Sequence, residues 1–389
     1  MFKVLTLNNI SVTGLDRLPR DQYEVASEIQ HPDAVLVRSF KMHDWEIPDT
    51  LKAVGRAGAG VNNIPVEDMT AKGIPVFNAP GANSNAVQEL VLTGMLLSAR
   101  NICSAWDFAR GLEGTDAKIT KQVEAGKKDF VGFELPGKTI GVVGLGAIGI
   151  KIANTAISLG MRVIGYDPKI TVQGAWQLSH QVEQASSIDD LLNHSDFVTF
   201  HVPLVDGTRN MINVERLQNM RDNVTILNFS RSGIVNDEAI VEALDNGKVH
   251  AYICDFPTNL LKQHPKVVTL PHLGASTMEA EDNCAIMVAD QLKDYLENGN
   301  IRNAVNFPTI KMAKLPEQYR LTIAHENIPN ILGPITNSIA KADINIIDML
   351  NKSYNEAAYT LIDTDTEISE SVIKDINEIE GVLKVRYLA

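Results

Sequence analysis

Short apolar runs alternate with polar and turn-forming stretches over roughly the first 90 residues. Four of these runs end near Gly, Pro or Asn and predict β-strands: VLTLNNI, DAVLVRS, LKAVGRAGAG and IPVFNAP. The segments between them predict helices, and NAVQELVLTGMLLSAR (85–100) predicts a largely apolar, buried helix. Because strands alternate with helices, we expect a mostly parallel sheet covered by helices.

A second alternation begins at Gly137, where the apolar strand KTIGVV leads into a glycine-rich turn. A helix ending at Ser158 and the strand MRVIGYD follow, and further strands are predicted in FVTFHVP, VTILNFS, HAYICDF and VVTLPHLG. This series predicts a second doubly wound sheet. The helix TMEAEDNCAIMVADQLKDYLENG then leads into NFPTIKMAKLPEQ, which we interpret as a linker. The polar stretch 111–128, before this series, is expected to be exposed.

Residues 318–389 form a third pattern. Strands are predicted in YRLTIAHEN, INIIDMLNKS, AAYTLIDTD and VLKVRYLA, and helices in IPNILGPITNSIAKA and SESVIKDINEIEG. The order βαββαβ predicts a small ferredoxin-like sandwich. The predicted fold class is therefore α/β, with two doubly wound, Rossmann-like parallel sheets and a C-terminal βαββαβ domain.

Composition narrows the class of protein. Of 389 residues, 44% are hydrophobic and 21% charged, as in folded globular chains. The formal net charge of −13 argues against a nucleic-acid partner, which would need a basic face. No apolar run reaches the roughly 18 residues of a membrane helix, and MFKVLTLNNI has no features of a secretory signal. Three scattered cysteines favour a reducing compartment and no metal site, so we expect a cytoplasmic protein.

The glycine-rich turn carries the first chemical signal. Residues 144–149 fit G-x-G-x-x-G directly after a predicted strand, the arrangement in which backbone N–H groups at a helix start bind a pyrophosphate. Asp167 ends the next strand, where a carboxylate can bind both ribose hydroxyls. Because no arginine directly follows Asp167, the pattern favours NAD over NADP.

Seven segments in this order resemble the D-2-hydroxyacid dehydrogenases. They are RAGAGVNNI (56–64), GIPVFNAPGANSNAVQEL (73–90), GKTIGVVGLGAIG (137–149), HVPL (201–204), NFSRSGIVND (228–237), PHLGAST (271–277) and HEN (325–327). The closest resemblance is to the branch that oxidises 3-phosphoglycerate. It implies NAD-dependent oxidation of 3-phospho-D-glycerate to 3-phosphohydroxypyruvate, the first step of L-serine biosynthesis.

The resemblance also implies a domain division. A discontinuous substrate-binding domain would comprise 1–93 and 278–310, and an NAD-binding Rossmann domain would comprise 94–277. Residues 318–389 resemble an ACT domain, a small amino-acid-sensing module. The family further implies a homodimer through the cofactor domain or a homotetramer through ACT contacts.

Site residues carry over from the matching segments. His272 would be the base that takes the hydroxyl proton, and Arg231 would hold the substrate carboxylate. The residues expected to bind cofactor are Gly144, Gly146, Ala147, Ile148, Gly149, Asp167, His201, Pro203, Ser230 and Asp255. The residues expected to bind substrate are Arg38, Lys41, Ala59, Gly60, Val61, Asn62 and Asn83.

One family residue is missing. Most relatives have a glutamate shortly after the strand-end aspartate that orients the histidine, whereas this chain reads FPTNLLKQHPKVVTLP between Asp255 and His272. Asn259 or Leu260 stands at the expected place, and Lys262 and His264 are neighbours. Three explanations remain open: an Asn/Lys variant of the mechanism, which we favour, a carboxylate from the next helix such as Glu279 or Asp282, or a weak catalyst.

The C-terminal unit suggests an effector. His325, Asn327 and Asn345 fall where related enzymes bind L-serine between ACT domains, although HEN also fits a simple helix cap. Two alternatives to the main function stay open. One is another D-2-hydroxyacid dehydrogenase activity, that of a glyoxylate/hydroxypyruvate reductase or a 2-oxoglutarate reductase. The other is a non-catalytic NAD-sensing module, suggested by the missing glutamate.

Overall fold

The computed structural model describes residues 1–388 and divides into two compact units. One unit contains residues 1–83 and 278 onward, and the other contains residues 84–277. The sequence-based division into three domains therefore stays a prediction, because the C-terminal βαββαβ segment lies in the same compact unit as the first sheet.

The first sheet is five-stranded and parallel, with the order β2-β1-β3-β4-β5. Its strands are β1 Phe2–Leu7, β2 Tyr23–Ala26, β3 Ala34–Val37, β4 Ala53–Arg56 and β5 Val76–Phe77, with helices α1 Val12–Leu15 and α2 Val66–Ala71. The four predicted strands are confirmed. The edge strand β2 was missed because YEVA is short and half polar.

The second unit is the predicted doubly wound sheet. It begins with helices α3 Ser84–Ala99, α4 Ile102–Arg110 and α5 Asp116–Gly126 and the 3-10 turn Lys127–Phe130. The remaining elements are β6 Thr139–Val143, α6 Ala147–Ser158, β7 Arg162–Tyr166, α7 Val172–Gln177, β8 Glu183–Gln184, α8 Ile188–His194, β9 Phe197–Phe200, α9 Val214–Asn219, β10 Val224–Asn228, α10 Asp237–Asp245, β11 Val249–Cys254 and β12 Val267–Thr269. The polar stretch expected to be exposed is helical in part, and neither α4 nor α5 buries a residue.

The strand order in this unit is β12-β11-β10-β9-β6-β7-β8, and all pairs are parallel. The winding direction reverses between β6 and β9. In such sheets the crevice at the carboxyl ends of the strands, at this reversal, is the general ligand-binding place. The buried strand β6 delivers the glycine-rich turn to that point.

The remaining chain returns to the first unit. Its elements are α11 Met278–Asn298, β13 Tyr319–Glu326, α12 Leu332–Lys341, β14 Ile346–Tyr354, β15 Ala357–Thr364, α13 Glu370–Asn377 and β16 Val382–Leu388. The βαββαβ order is confirmed, and the sheet is antiparallel with the order β14-β15-β13-β16. We call residues 319–388 the C-terminal module.

The C-terminal module is buried on both faces of its sheet. One face packs against α12 and α13 through Leu321, Ile335 and Ile376. The other face contributes Tyr359 and Leu361 to the core cluster that also contains α11 and the first sheet.

Two arginines fasten the C-terminal module to α11. Arg320 is fully buried, pairs with Asp363 at 2.6 Å, and donates to the carbonyl of Asn298 at 2.9 Å. Arg386 donates to the carbonyls of Tyr295 and Leu296 at 3.2 and 3.1 Å. These carbonyls lie in the last turn of α11, where Gly299 N–H also donates to the carbonyl of Tyr295 at 2.9 Å and the arginines supply the further donors.

Candidate functional site

The glycine-rich turn has the backbone geometry that the motif predicts. Gly144 has φ +92°, and a Cβ there would lie 2.5 Å from the carbonyl oxygen of His201. A Cβ on Gly149 would clash with the carbonyl of Gly144, so only glycine lets α6 pack this close to the turn. Gly146, in contrast, faces open space at the start of α6. The turn is thus closed against the protein at two glycines and open at the third, as a pyrophosphate site requires.

Asp167 lies beside this turn. Its Oδ2 accepts a hydrogen bond from the backbone N–H of Leu145 at 2.8 Å, and its Oδ1 accepts one from Lys169 N–H at 2.8 Å. Ala147 and Ile148 follow in the first turn of α6. Asp167, which is expected to bind the ribose, and the glycine-rich turn are therefore joined by a hydrogen bond.

The ends of β9 and β10 supply the neighbouring polar groups. The His201 ring accepts or donates a hydrogen bond with Thr199 Oγ1 at 2.9 Å, and burial lowers the pKa of His201 to about 3. This imidazole is therefore neutral at ordinary pH. Ser230 Oγ donates to the carbonyl of Val202 at 2.5 Å, and the carbonyl of Pro203 accepts from Thr208. These contacts hold the two strand ends together.

Arg231 is exposed and is positioned by a buried asparagine. Asn228, 1% exposed at the end of β10, donates from Nδ2 to the carbonyl of Arg231 at 3.0 Å and accepts from Ser230 N–H. The guanidinium itself touches only the carbonyl of Ser230, at 2.7 Å. Asn228 was not singled out from the sequence, although it stands in the motif NFSRSG.

Asp255 and His272 lie together at the end of β11. The backbone N–H of His272 donates to the carbonyl of Asp255 at 3.1 Å, and Gly274 N–H donates to Asp255 Oδ2 at 3.2 Å. His272 has φ +46°, and its exposed ring meets the Phe256 ring edge-on at 5.2 Å. Burial raises the pKa of Asp255, while the charges of His272 and Arg231 oppose that rise.

The second oxygen of Asp255 tests whether the site fits NAD. Oδ1 is buried and has no hydrogen-bond partner among the described residues. A buried carboxylate oxygen without a donor is costly. The carboxamide N–H of a nicotinamide is a donor of the required kind, so the residues present fit the cofactor.

The segment that lacks the family glutamate directs its polar side chains elsewhere. His264 pairs with Asp245 at 3.2 Å, whereas Asn259, Leu260 and Lys262 are exposed. Within residues 84–277, His272 forms no ion pair with a carboxylate. The proposed helpers Asn259 and Lys262 stay predictions. In the first unit, the Asp282 carboxylate accepts from Ser11 Oγ at 2.5 Å.

The substrate-side turn is held by side chains around it. The carbonyl of Ala59 accepts from Asn78 Nδ2 at 2.6 Å. Among the described residues, the backbone N–H groups of Ala59, Gly60 and Val61 have no acceptor. Three such donors in succession suit a carboxylate. Asn62 follows and is exposed.

The loop that carries Arg38 and Lys41 is fixed through its backbone. Asn63 Nδ2 donates to the carbonyl of Phe40 at 2.8 Å, and Arg56 Nε donates to the carbonyl of Arg38 at 3.1 Å. The Arg38 side chain pairs with Glu281 at 2.5 Å, which sequence reasoning did not predict because the two residues are far apart in the chain. Lys41 is exposed. Asn83 has a buried Oδ1 without a partner.

The three residues expected to bind an effector have different surroundings. His325 is 1% exposed, and its ring nitrogens contact the carbonyl of Glu326 at 2.8 Å and Thr360 Oγ1 at 2.9 Å. Asn327 donates to the carbonyl of Asn355 and Asn345 to Asp365, and both are exposed. In this arrangement His325 has no ring nitrogen left for a ligand, so its direct role would require these contacts to break.

Residues 1–388 contain neither a membrane-spanning helix nor a cluster of metal-binding side chains. None of the described helices is long and apolar enough to cross a membrane. In the same residues no cluster of three His, Cys, Asp or Glu side chains could hold a metal ion.

Comparisons with known proteins identify the family. Residues 102–274 match the family described as "D-isomer specific 2-hydroxyacid dehydrogenase, NAD binding domain". A D-3-phosphoglycerate dehydrogenase of Methanocaldococcus jannaschii is 37% identical over 336 residues, 84% of this chain and 61% of that protein. One of Haemophilus influenzae is 31% identical over 354 residues, 88% of this chain and 82% of that protein.

Solved structures show the same fold. The NAD⁺-bound 3-phosphoglycerate dehydrogenase of Entamoeba histolytica superposes with a TM-score of 0.60 at 24% identity, covering 78% of this chain and 98% of that one. The chain spans 61% of the length of the Methanocaldococcus relative. The matched NAD-binding domain confirms the predicted cofactor.

Proposed function

Because the chain belongs to the D-isomer-specific 2-hydroxyacid dehydrogenase family, we propose that it oxidises 3-phospho-D-glycerate to 3-phosphohydroxypyruvate with NAD, the first step of L-serine biosynthesis. The observation that carries this proposal is the arrangement of Arg231, Asp255 and His272 beside the glycine-rich turn at the carboxyl edge of one sheet. The curated relatives with this activity are 31–37% identical to the chain.

The residues divide the chemistry between them. When bound, NAD accepts a hydride, with its two electrons, from C2 of the hydroxy acid. The imidazole of His272 takes the hydroxyl proton, so that C2 becomes a carbonyl. Arg231 holds the substrate carboxylate and stabilises charge on the developing carbonyl oxygen. Asp255 holds the nicotinamide carboxamide through its unpartnered Oδ1.

The remaining substrate contacts are assigned to residues of the first unit. The N–H groups of Ala59, Gly60 and Val61 bind the carboxylate, with Asn62 and Asn83 beside them. Arg38 and Lys41 meet the distal phosphate. The pairing of Arg38 with Glu281 reduces the positive charge offered to that phosphate, and phosphate binding competes with this pair.

The regulatory and assembly assignments are part of the same proposal. The C-terminal module is an ACT domain that senses L-serine through Asn327, Asn345 and the turn held by His325. The protein is cytoplasmic and forms a homodimer or homotetramer. Helices α4 and α5 support an assembly, because neither buries a residue and Trp106 is 59% exposed.

A coupled assay tests the activity. NADH absorbance is followed with phosphohydroxypyruvate, glyoxylate and 2-oxoglutarate, each with and without L-serine. We expect phosphohydroxypyruvate to give the highest kcat/KM, and His272→Ala to lower kcat by roughly 10²–10⁴. If no 2-oxo acid supports turnover between about pH 6 and 10, the catalytic function is excluded.

A second candidate function rests on His272 itself. Within residues 84–277 this ring forms no ion pair with a carboxylate, which favours a non-catalytic NAD-sensing module. In that case NADH binds, as followed by its fluorescence, but no oxo acid consumes it. If glyoxylate or 2-oxoglutarate gave the highest kcat/KM, the substrate would be a different 2-hydroxy acid. The pairing of Arg38 with Glu281, which leaves less positive charge for a phosphate, is consistent with that outcome.

A further inference from the structure

A cavity of about 630 Å³ lies where the last strand of the C-terminal module meets the first sheet. Its charged lining comes from three elements: Lys384 and Arg386 on β16, Lys52 and Asp49 before β4, and Glu297 on α11. All of these residues belong to one compact unit. None of them is among the residues assigned to cofactor, substrate or effector.

The carboxylates nearby do not compensate Lys384. Asp33 already pairs with Lys52 at 2.7 Å, and among the described residues neither Asp49 nor Glu297 forms an ion pair with Lys384. Lys384 forms no ion pair among the described residues, and its Nζ donates only to the carbonyl of Leu51, at 2.5 Å.

The electrostatic surroundings of Lys384 are positive. Burial, together with the charges of Arg386, Lys52 and Lys72 and against the opposing charge of Asp49, lowers the pKa of Lys384 to about 8. A partly buried ammonium among three other cations is a poor arrangement unless an anion joins it. Arg386 likewise bonds only to carbonyls, and forms no ion pair in the described chain.

The backbone of Lys384 is closely packed. Gly73, at φ +65°, lies so close to β16 that an added Cβ would be 2.6 Å from the Cβ of Lys384. The backbone and Cβ of Lys384 are therefore packed closely against the turn that follows α2. Its Nζ reaches the carbonyl of Leu51, next to the lining residues Thr50 and Lys52.

We propose that this cavity is a second anion site, separate from the active site, which binds a small dianion such as the phosphate group of a free metabolite between Lys384, Lys52 and Arg386. The cavity can hold more than the phosphate group alone, so the ligand is a phosphorylated small molecule. Because its walls come from both the C-terminal module and the first sheet, a bound dianion stabilises their attachment.

The experiment uses the full chain and inorganic phosphate as the probe. Binding is measured by calorimetry, and thermal unfolding is followed at constant ionic strength in chloride buffer. Phosphate is expected to raise the Tm, because a ligand that binds only the folded state stabilises it. Lys384→Met should weaken phosphate binding roughly tenfold or more and abolish most of the Tm rise, whereas Lys384→Arg should keep both.

Two controls separate this site from the catalytic one. Lys41→Met removes a cation assigned to the substrate phosphate and should leave the Lys384-dependent part of the Tm response to phosphate intact. Lys248→Met removes a surface lysine that pairs with Asp222 and should behave as wild type. Acetate, a monoanion, should have little effect.

The pH dependence provides a further check. The charged groups that face Lys384 are Arg386 on its own strand, Lys52 and Asp49 before β4, Lys72 after α2, and Glu297 on α11. Because burial lowers the pKa of Lys384 to about 8, binding of sulfate, which stays a dianion throughout, should weaken as the pH rises from about 7 to 9. A Lys384→Met variant with the wild-type Tm response, or a wild type that does not respond to phosphate, would overturn the proposal.

Discussion

The carboxylate of Asp167 accepts a hydrogen bond from the backbone N–H of Leu145 at 2.8 Å. The residue that the sequence assigns to the ribose therefore also holds the turn that it assigns to the pyrophosphate. Replacing Asp167 has two separable effects, one on charge and one on the shape of the turn.

Asp167→Asn should relax the choice of cofactor. The amide oxygen can still accept from Leu145, but the negative charge that repels a 2′-phosphate is gone, so the ratio of kcat/KM for NADPH to NADH should rise roughly tenfold or more. Asp167→Ala should in addition lower the Tm, because it removes the acceptor. Asp206→Asn, an exposed acid after β9, is the matched control. An Asp167→Asn enzyme that keeps its full preference for NADH would contradict this role.

Acid should destabilise the protein in part through His201. The pKa of this ring is about 3 in the folded state because of burial, whereas in the unfolded state it is about 6.5. The unfolded state therefore binds an extra proton as the pH falls below about 6.5, and stability falls with it until the pH nears 3. His201→Gln should reduce the loss of unfolding free energy between about pH 7 and 4.5 by roughly 1–3 kcal/mol. Urea unfolding at both pH values measures this, and an unchanged difference would show that the ring titrates normally.

Asn259→Glu should restore an acidic partner to His272 if residue 259 stands where most relatives have glutamate. A carboxylate near the imidazole raises the histidine pKa, and oxo-acid reduction needs the protonated ring, so the alkaline limb of kcat/KM should move up by about one pH unit. Gln263→Glu, on the same segment, should leave the profile in place. If neither variant moves the limb, residue 259 does not reach the ring.

Glu281→Gln should release Arg38. This ion pair is partly exposed, with 38% and 41% of the two side chains accessible, so it is worth no more than about 1 kcal/mol. We expect the KM for phosphohydroxypyruvate to fall by up to roughly fivefold. Glyoxylate has no second anionic group and is the internal control. An equal change in the KM for both substrates would remove Arg38 from the phosphate site.

Trp106→Asp should weaken self-association. Trp106 is exposed on α4, where its ring stacks with Arg110 at 4.4 Å, and a buried aspartate in an interface would be unpaired. Trp176→Asp, at 86% exposure on α7, is the matched control. Sedimentation should show a smaller species for the first variant alone. A wild-type assembly in the Trp106 variant would place the interface elsewhere.

Local patterns predicted the parts of this protein that depend on local geometry. The glycine-rich turn, Asp167 and the alternation of strands and helices follow from residues that are close in sequence, and the structure confirms both sheets. The turn needs glycine at 144 and 149 because a Cβ at either position would clash with a backbone carbonyl, and the motif specifies glycine at both.

Contacts between distant segments were not predictable in this way. Glu281 pairs with Arg38 because the topology brings α11 close to the strand ends of the first sheet. Asn63 holds the loop that carries Arg38 and Lys41 through the carbonyl of Phe40. His325 was expected to face a ligand, yet β13 turns it toward Thr360 inside the sheet. Strand alternation fixes which face a residue takes only once the pairing register is known.

The two arginines on the C-terminal module have a consequence for how the chain can be cut. Arg320 and Arg386 supply the donors for the last carbonyls of α11, and Arg320 carries its own buried partner Asp363. A chain shortened before β13 would remove the arginine donors from the carbonyls of Leu296 and Asn298 and expose the apolar face that Tyr359 and Leu361 cover. The C-terminal module is therefore needed for the stability of the first unit, and protein that lacks it should be strongly destabilised. In the full chain, the unit made of 1–83 and 278–388 should unfold in one cooperative step.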